Sequence, residues 1–331
     1  MRGAFPNVLA VVLLLAAPVR GAEPDRRIVS AASVALRDAP GVSRGIVARL
    51  SLGTLVVEVA RTGGVDTIAG ETAPWLEVAT PSGREGWLFG ALTRPYAEAE
   101  RDALALEIAG DRLERSGDPF EAFAELHAFL GRAAGEAATP DARARLELAT
   151  LRALDRTAGT IGFRRKHDPA ALAWVEANAR DLVWNEPAAR WIVVADRLWE
   201  LYERSAALPA ADEIAWEAAR AQLPGECEGD VPCALAGLAR TDLRYLERHP
   251  RGAHADVALG NVATALDAAV EDPRGAGLFA GSPAEDLDRT RSDLEKATAL
   301  LARIDDPRAR AARSAAEALL ARAAAPGEER R

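Results

Sequence analysis

The sequence predicts two units of different class, a small β barrel over residues 28–96 and an all-α domain of antiparallel helix pairs over 97–325. Three observations carry this. Short apolar groups alternate with polar residues and turn signals up to Tyr96. From Ala97 the apolar period changes from two to about three and a half, the spacing of an amphipathic helix. Pairs of a capping residue and proline then recur along this part of the chain as helix-start signals.

Before both units lies MRGAFPNVLAVVLLLAAPVRGAEPDRR. Arg2 precedes an apolar run from Val8 to Ala17, followed by Pro18 and small residues. The run is shorter than the roughly 20 residues a membrane-spanning helix needs. Its three-part layout is that of a secretory signal over residues 1–21, with 22–27 as a linker. Cleavage after Gly21 puts Val19 and Gly21 at the small-residue positions, and no cysteine follows to take a lipid. An uncleaved anchor or a buried apolar helix is the alternative. The expectation is an exported, periplasmic or otherwise extracytoplasmic chain with no transmembrane segment once cleaved.

The net charge is −9, and losing Arg2 and Arg20 makes the chain more acidic still. No basic cluster of the size nucleic acid requires is present, so nucleic acid is excluded as a partner. Lysine occurs only at 166 and 296 while arginine and alanine abound, a bias of genome composition more than of function.

In the first unit, IVSAASVALRDAPG leads to a Pro40-Gly41 turn, and GIVARLSLGTLVVEVART is broken at Gly53. PWLEVATPSGREGWLFGAL places Trp75, Glu77 and Ala79 on one face and Leu76 and Val78 on the other. Five short strands with such turns predict a barrel. Ile46, Leu50, Leu55, Val57, Val59, Leu76, Val78, Trp87 and Leu88 are its expected core, and Thr62–Pro74 is expected to be a long polar loop. VALRDAPG, IVARLSLGTLVVEV and the Trp75–Val78 and Gly83–Leu92 segments together resemble the bacterial SH3 (SH3b) family, with Ala35 where the family pattern has asparagine. The resemblance implies an SH3-like barrel that docks on peptidoglycan or a peptide. Trp75, at the end of the long loop, is then the expected ligand contact, with Thr67 and Glu71, while Trp87 is expected in the core.

The helical unit begins with YAEAERDALALEIAGDRLERSG, PFEAFAELHAFLGRAA and TPDARARLELATLRALDRTAG. Asp118-Pro119, Thr139-Pro140, Asp168-Pro169, Asp272-Pro273, Ser282-Pro283 and Asp306-Pro307 are the expected starts, within about ten helices, and 326–331 is a tail. Residues 171–205 hold four tryptophans, Trp174, Trp184, Trp191 and Trp199, spaced so that each pair shares a helix side. They read either as helix–helix core or as a partner-binding groove. Arg164, Arg165 and Lys166, followed by His167, are the densest positive run and a second candidate contact for a protein partner. Residues 241–270, with Tyr245, the His249-Pro250 break, Gly252 and small residues after it, resemble one tetratricopeptide-type hairpin. No 34-residue period extends this along the chain.

Cys227 and Cys233, in GECEGDVPC, are the only cysteines. Six residues apart, around Gly229 and Pro232, in an exported chain, they are expected to pair. Free thiols, a metal site or a redox pair are the alternatives. The spacing is not C-x-x-C, and the nearest histidine is His249. His249, His254 and Asp256 form the one H-x4-H-x-D cluster, without the spacing of a zinc helix. No strained serine elbow, phosphate loop or dinucleotide fingerprint is present. Trp184-Asn185-Glu186, the one faint site for acid chemistry, reads as a helix C-terminus. The expectation is a non-catalytic binding or scaffolding protein of the bacterial envelope that needs no cofactor or metal. A cell-wall hydrolase with a targeting barrel, or a barrel with a purely structural role on the helices, is the alternative.

Overall fold

A computed structural model describes residues 25–324 apart from 116, 118, 163, 164, 166, 280 and 281. The expected secretory signal, residues 22–24 of the expected linker and the tail therefore lie outside the described residues, as do Arg164, Lys166 and the Asp118 cap.

Nine strands come first: β1 (Arg26–Val29), β2 (Val34–Arg37), β3 (Ile46–Leu50), β4 (Leu55–Arg61), β5 (Asp66–Ile68), β6 (Glu71–Ala73), β7 (Trp75–Ala79), β8 (Glu85–Phe89) and β9 (Thr93–Pro95). Seven form one antiparallel sheet in the order β3-β2-β8-β7-β4-β1-β9, and β5 and β6 pair separately. The sheet thus has more strands than the five expected, and Arg26 and Arg27 belong to it. Its own core is Val29, Val34, Leu36, Leu50, Val56, Leu76, Val78 and Leu88. Four of these were expected. Ile46 on the edge strand is 50% exposed and Val59 57%. In β4 it is Val56 that points inward, so alternation along the strand places Val59 on the opposite, outer side.

The helical unit comprises α1 (Arg101–Leu113), α2 (Phe120–Glu136), α3 (Pro140–Gly159), α4 (Pro169–Ala177), α5 (Ala195–Ser205), α6 (Ala211–Arg220), α7 (Val231–Arg240), α8 (Asp242–Arg248), α9 (Ala255–Val270), α10 (Ala284–Leu301) and α11 (Pro307–Ala324). Several expected starts act as read. The Thr139 hydroxyl accepts from Ala142 N, Asp168 from Ala170 N, and Asp306 from Arg308 N, each beside a proline that has no N–H to lose. Two differ. Asp272-Pro273 opens a short 3-10 turn, and at Ser282-Pro283 the helix starts after the proline without a side-chain cap.

Between α4 and α5 the chain forms an antiparallel hairpin, β10 (Leu182–Asn185) with β11 (Arg190–Val193). Residues 186–189, beginning with Glu186-Pro187, are its turn, so Trp184-Asn185-Glu186 ends a strand and not a helix. The short apolar runs here are rich in valine, isoleucine and tryptophan, residues that suit a pleated surface.

Sheet and helices share a core. Ile28 and Leu52 of the sheet unit are buried with Leu104 and Ile108 of α1 and Phe123, Leu126 and Phe129 of α2. At the β3–β4 turn Gly53 has φ +84°, and a Cβ there would overlap the Phe129 ring, so only glycine lets the turn seat on α2. Leu52 N donates to Glu125 Oε1 at 2.5 Å, satisfying a backbone donor at this contact. The largest core runs from α3 through α5–α11.

Candidate functional site

The expected ligand loop is itself structured. Asp66–Ile68 and Glu71–Ala73 pair with Ile68 opposite Glu71, leaving the two-residue turn Ala69-Gly70 at φ +52° and +88°. Positive φ at both central positions is the hairpin turn whose twist matches its strands. The hairpin is anchored to the sheet through Trp75, whose Nε1 donates to Asp66 Oδ2 at 2.6 Å and whose backbone N donates to the Thr62 hydroxyl at 3.1 Å.

Trp75 is buried, 3% exposed, and packs on Phe89 across β7 and β8 with ring centroids 5.8 Å apart. This corrects the expected rim position. Trp87, expected in the core, is half-buried. Leu76 and Val78 take one buried face, and Trp75 is covered on the other by the hairpin and Phe89. Alternation alone does not reveal that second cover.

Between the hairpin, the sheet and α1 lies a groove of about 680 Å³. Trp75 and Phe89 form its floor, Ile68 and Glu71 one rim, and Arg94, Asp111, Arg112 and Arg115 the opposite side, with Arg37 between. Thr67 does not line it. Thr67 stands on the other face of the hairpin, its hydroxyl 2.9 Å from that of Thr72. Arg94 pairs with Asp111 and, at 3.6 Å, with Glu107 of α1. Arg37 donates to Arg44 O at 2.7 Å. The groove therefore presents an apolar floor with fixed charges of both signs. Phe89 and the α1 residues were missed because only tertiary packing brings them to β5 and β6.

The four tryptophans do not form one surface. Trp174, on α4, meets Phe120 and His127 edge-on at 5.7 and 5.9 Å. Trp184 and Trp191 face each other across the β10–β11 hairpin at 5.7 Å. Trp199, on α5, is buried beside Tyr202 with the Arg244 guanidinium 4.1 Å above its ring. The hairpin removes the helix side on which they were expected to align, and with it the common groove. Arg165 donates to Glu121 at 3.2 Å and lies over Phe120, a local contact between the link and α2.

Cys227 and Cys233 form a disulfide. Asp230 accepts from Cys233 N at 3.1 Å and so caps α7, giving one of the three nearby acids a structural role. The His249–His254–Asp256 cluster is divided among other partners. His254 stacks on Trp216 at 4.6 Å, His249 Nδ1 lies 3.7 Å from Asp212, and Asp256 pairs with Arg308 at 2.5 Å. Among the described residues no group of three or more His, Cys, Asp or Glu is placed to hold a metal, and no helix is long and apolar enough to cross a membrane.

No protein-family model matches the chain, and comparison with curated proteins and with solved structures gives no match.

Proposed function

We propose that the protein is a non-catalytic, exported binding and scaffolding protein of the bacterial envelope, and that the groove under the β5–β6 hairpin holds its ligand. The observation that carries this reading is the groove's construction from both units, with an aromatic floor, a hairpin rim and paired charges from α1. Concave, partly apolar sites with a few fixed polar groups are the kind that hold ligands. Charges of both signs suit an extended ligand with free amines and carboxylates, such as a peptidoglycan stem peptide. The resemblance of the first unit to SH3b domains supports the same ligand class. In this reading the helices, among them the tetratricopeptide-like α8–α9 pair, hold a protein partner. The disulfide is compatible with an oxidising compartment outside the cytoplasm.

Retention of the purified protein on isolated cell wall at low ionic strength, compared with an Ile68→Glu variant, tests the proposal. Wild type is expected to be retained and the variant to be released, because Ile68 lines the rim without belonging to the sheet core. Failure of the wild type to be retained ends the wall reading.

A second reading, a sheet whose role is to brace the helices, is favoured by the shared core at Leu52 and Phe129. It predicts no retention and full dependence of helix stability on that contact.

A further inference from the structure

A second cleft, of about 420 Å³, opens between α3, the β10–β11 hairpin and α6. That volume falls in the range of small-ligand sites, roughly 300–1,000 Å³. Arg152, Arg156, Arg190 and Arg220 line it, against the two carboxylates of Asp155 and Glu217. In a chain of net charge −9 this is a local excess of positive charge.

The four arginines are of two kinds. Arg152 and Arg190 are fixed by carboxylates. Arg152 donates to Glu213 at 3.1 Å and Glu217 at 2.9 Å, and Arg190 Nη2 reaches both Asp155 oxygens at 3.2 Å. Gly159, the last residue of α3, makes room for this. A Cβ there would lie 3.0 Å from Arg190 Nη1, tighter than an ordinary contact. Arg156 and Arg220 are exposed and have no carboxylate partner among the described residues. Each is instead steadied over a ring, Arg156 over Phe123 at 5.5 Å and Arg220 over Trp216 at 5.8 Å. Arg156 also donates to Arg115 O at 3.2 Å. Leu151 and Val193 add apolar wall.

We infer that this cleft binds a small oxyanion carried on a short apolar group, with Arg156 and Arg220 supplying the uncompensated charge. The planar guanidinium fork matches carboxylate and phosphate oxygens alike. The two paired arginines are neutralised where they stand and shape the cleft without adding net charge. The apolar wall gives the non-ionic end of the ligand a place to lose its water.

Three probes test the inference on the purified full chain, by calorimetry and saturation-transfer NMR. They are N-acetyl-leucine, phenyl phosphate and the uncharged N-acetyl-leucinamide. Saturable binding of at least one oxyanion, with none of the amide, is the expected result. Binding of the carboxylate alone indicates a peptide-type source, and of the phosphate alone a phosphate ester. Arg156→Gln and Arg220→Gln are each expected to weaken binding about tenfold, the loss of one charge-assisted hydrogen bond. Both positions are exposed, so these variants should fold. Ile68→Glu, which alters only the groove on the sheet, should leave binding unchanged and separates this site from the proposed wall site. The inference is overturned by no saturable binding of either oxyanion, by equal binding of the amide, or by unchanged binding in the double Arg156→Gln/Arg220→Gln variant.

Discussion

Tyr245 donates its phenolic hydroxyl to Asp212 Oδ1 at 2.6 Å, tying α8 to the first turn of α6. The same carboxylate accepts from Ala253 N at 2.8 Å, and the Tyr245 oxygen accepts from His254 N at 3.1 Å. Two side chains thus satisfy two backbone donors of the α8–α9 link. Burial, with the bond to Asp212 next, pushes the Tyr245 phenol well above its ordinary range, so it stays a donor. Gly252 completes the fit, since a Cβ there would overlap both the Asp212 carboxylate and the Tyr245 hydroxyl.

Tyr245→Phe is therefore expected to cost about 1–3 kcal/mol, because it strands a carboxylate oxygen and a backbone donor. Gly252→Ala should cost a similar amount by forcing the link off α6. Urea denaturation measures both. A Gly252→Ala variant as stable as wild type would show that the link yields and is not pinned.

The seat of the sheet on the helices makes a second prediction. Leu52 is buried in a core made mostly of α1 and α2 side chains, so Leu52→Ala should cost about 2–5 kcal/mol. Gly53→Ala adds a side chain at positive φ, where the left-handed conformation alone costs about 1–2 kcal/mol, and drives it into Phe129. Both variants should lower the melting midpoint of the helical circular dichroism signal, not only that of the sheet. An unchanged helical melt would mean the two units fold independently.

Trp75 and Trp87 are expected to respond unequally. Trp75→Ala removes a buried ring and leaves Asp66 without its indole partner, at about 3–5 kcal/mol. Trp87→Ala, at a half-buried position, should cost only about 1 kcal/mol. Equal losses in chemical denaturation would contradict the cover that the hairpin provides.

How much of this is legible in the sequence depends on the range of the interaction. The sheet announces itself through local chemistry, in the alternation of Trp75–Ala79 and in the turn at Ser82-Gly83, where Gly83 takes φ +76°. The Pro-started helices do the same through their caps. The two hairpins are harder to read. Ala69 and Ala189 sit at φ +52° and +50° where asparagine, aspartate or glycine would have flagged the turn. At Trp184 and Trp191 the strands are too short to break the helical spacing that surrounds them. The groove was half legible. Glu71 and Trp75 lie in one sequence segment, but Phe89, Arg94 and Arg112 reach it only through packing. The Asp212–Tyr245 bond spans thirty-three residues, and no local pattern marks it.

His127 offers a pH-dependent prediction. It is half-buried on α2 with its ring edge-on to Trp174, and burial lowers its pKa from the ordinary 6.5, against a smaller upward pull from Asp181. The unfolded chain therefore takes up this proton more readily than the folded one. Above the unfolded value both states are neutral at this site, and it adds no pH dependence. As pH falls below about 6.5 toward the lower folded value, protonation of the unfolded state draws stability away. His127→Gln removes that dependence, though it also gives up the ring contact with Trp174. The stability difference between wild type and variant should be constant above about pH 7 and shift in favour of the variant on acidification. Parallel denaturant titrations across that range measure it. A difference that stays constant down to about pH 5 would mean that the imidazole is as free to protonate in the folded protein as in the unfolded chain.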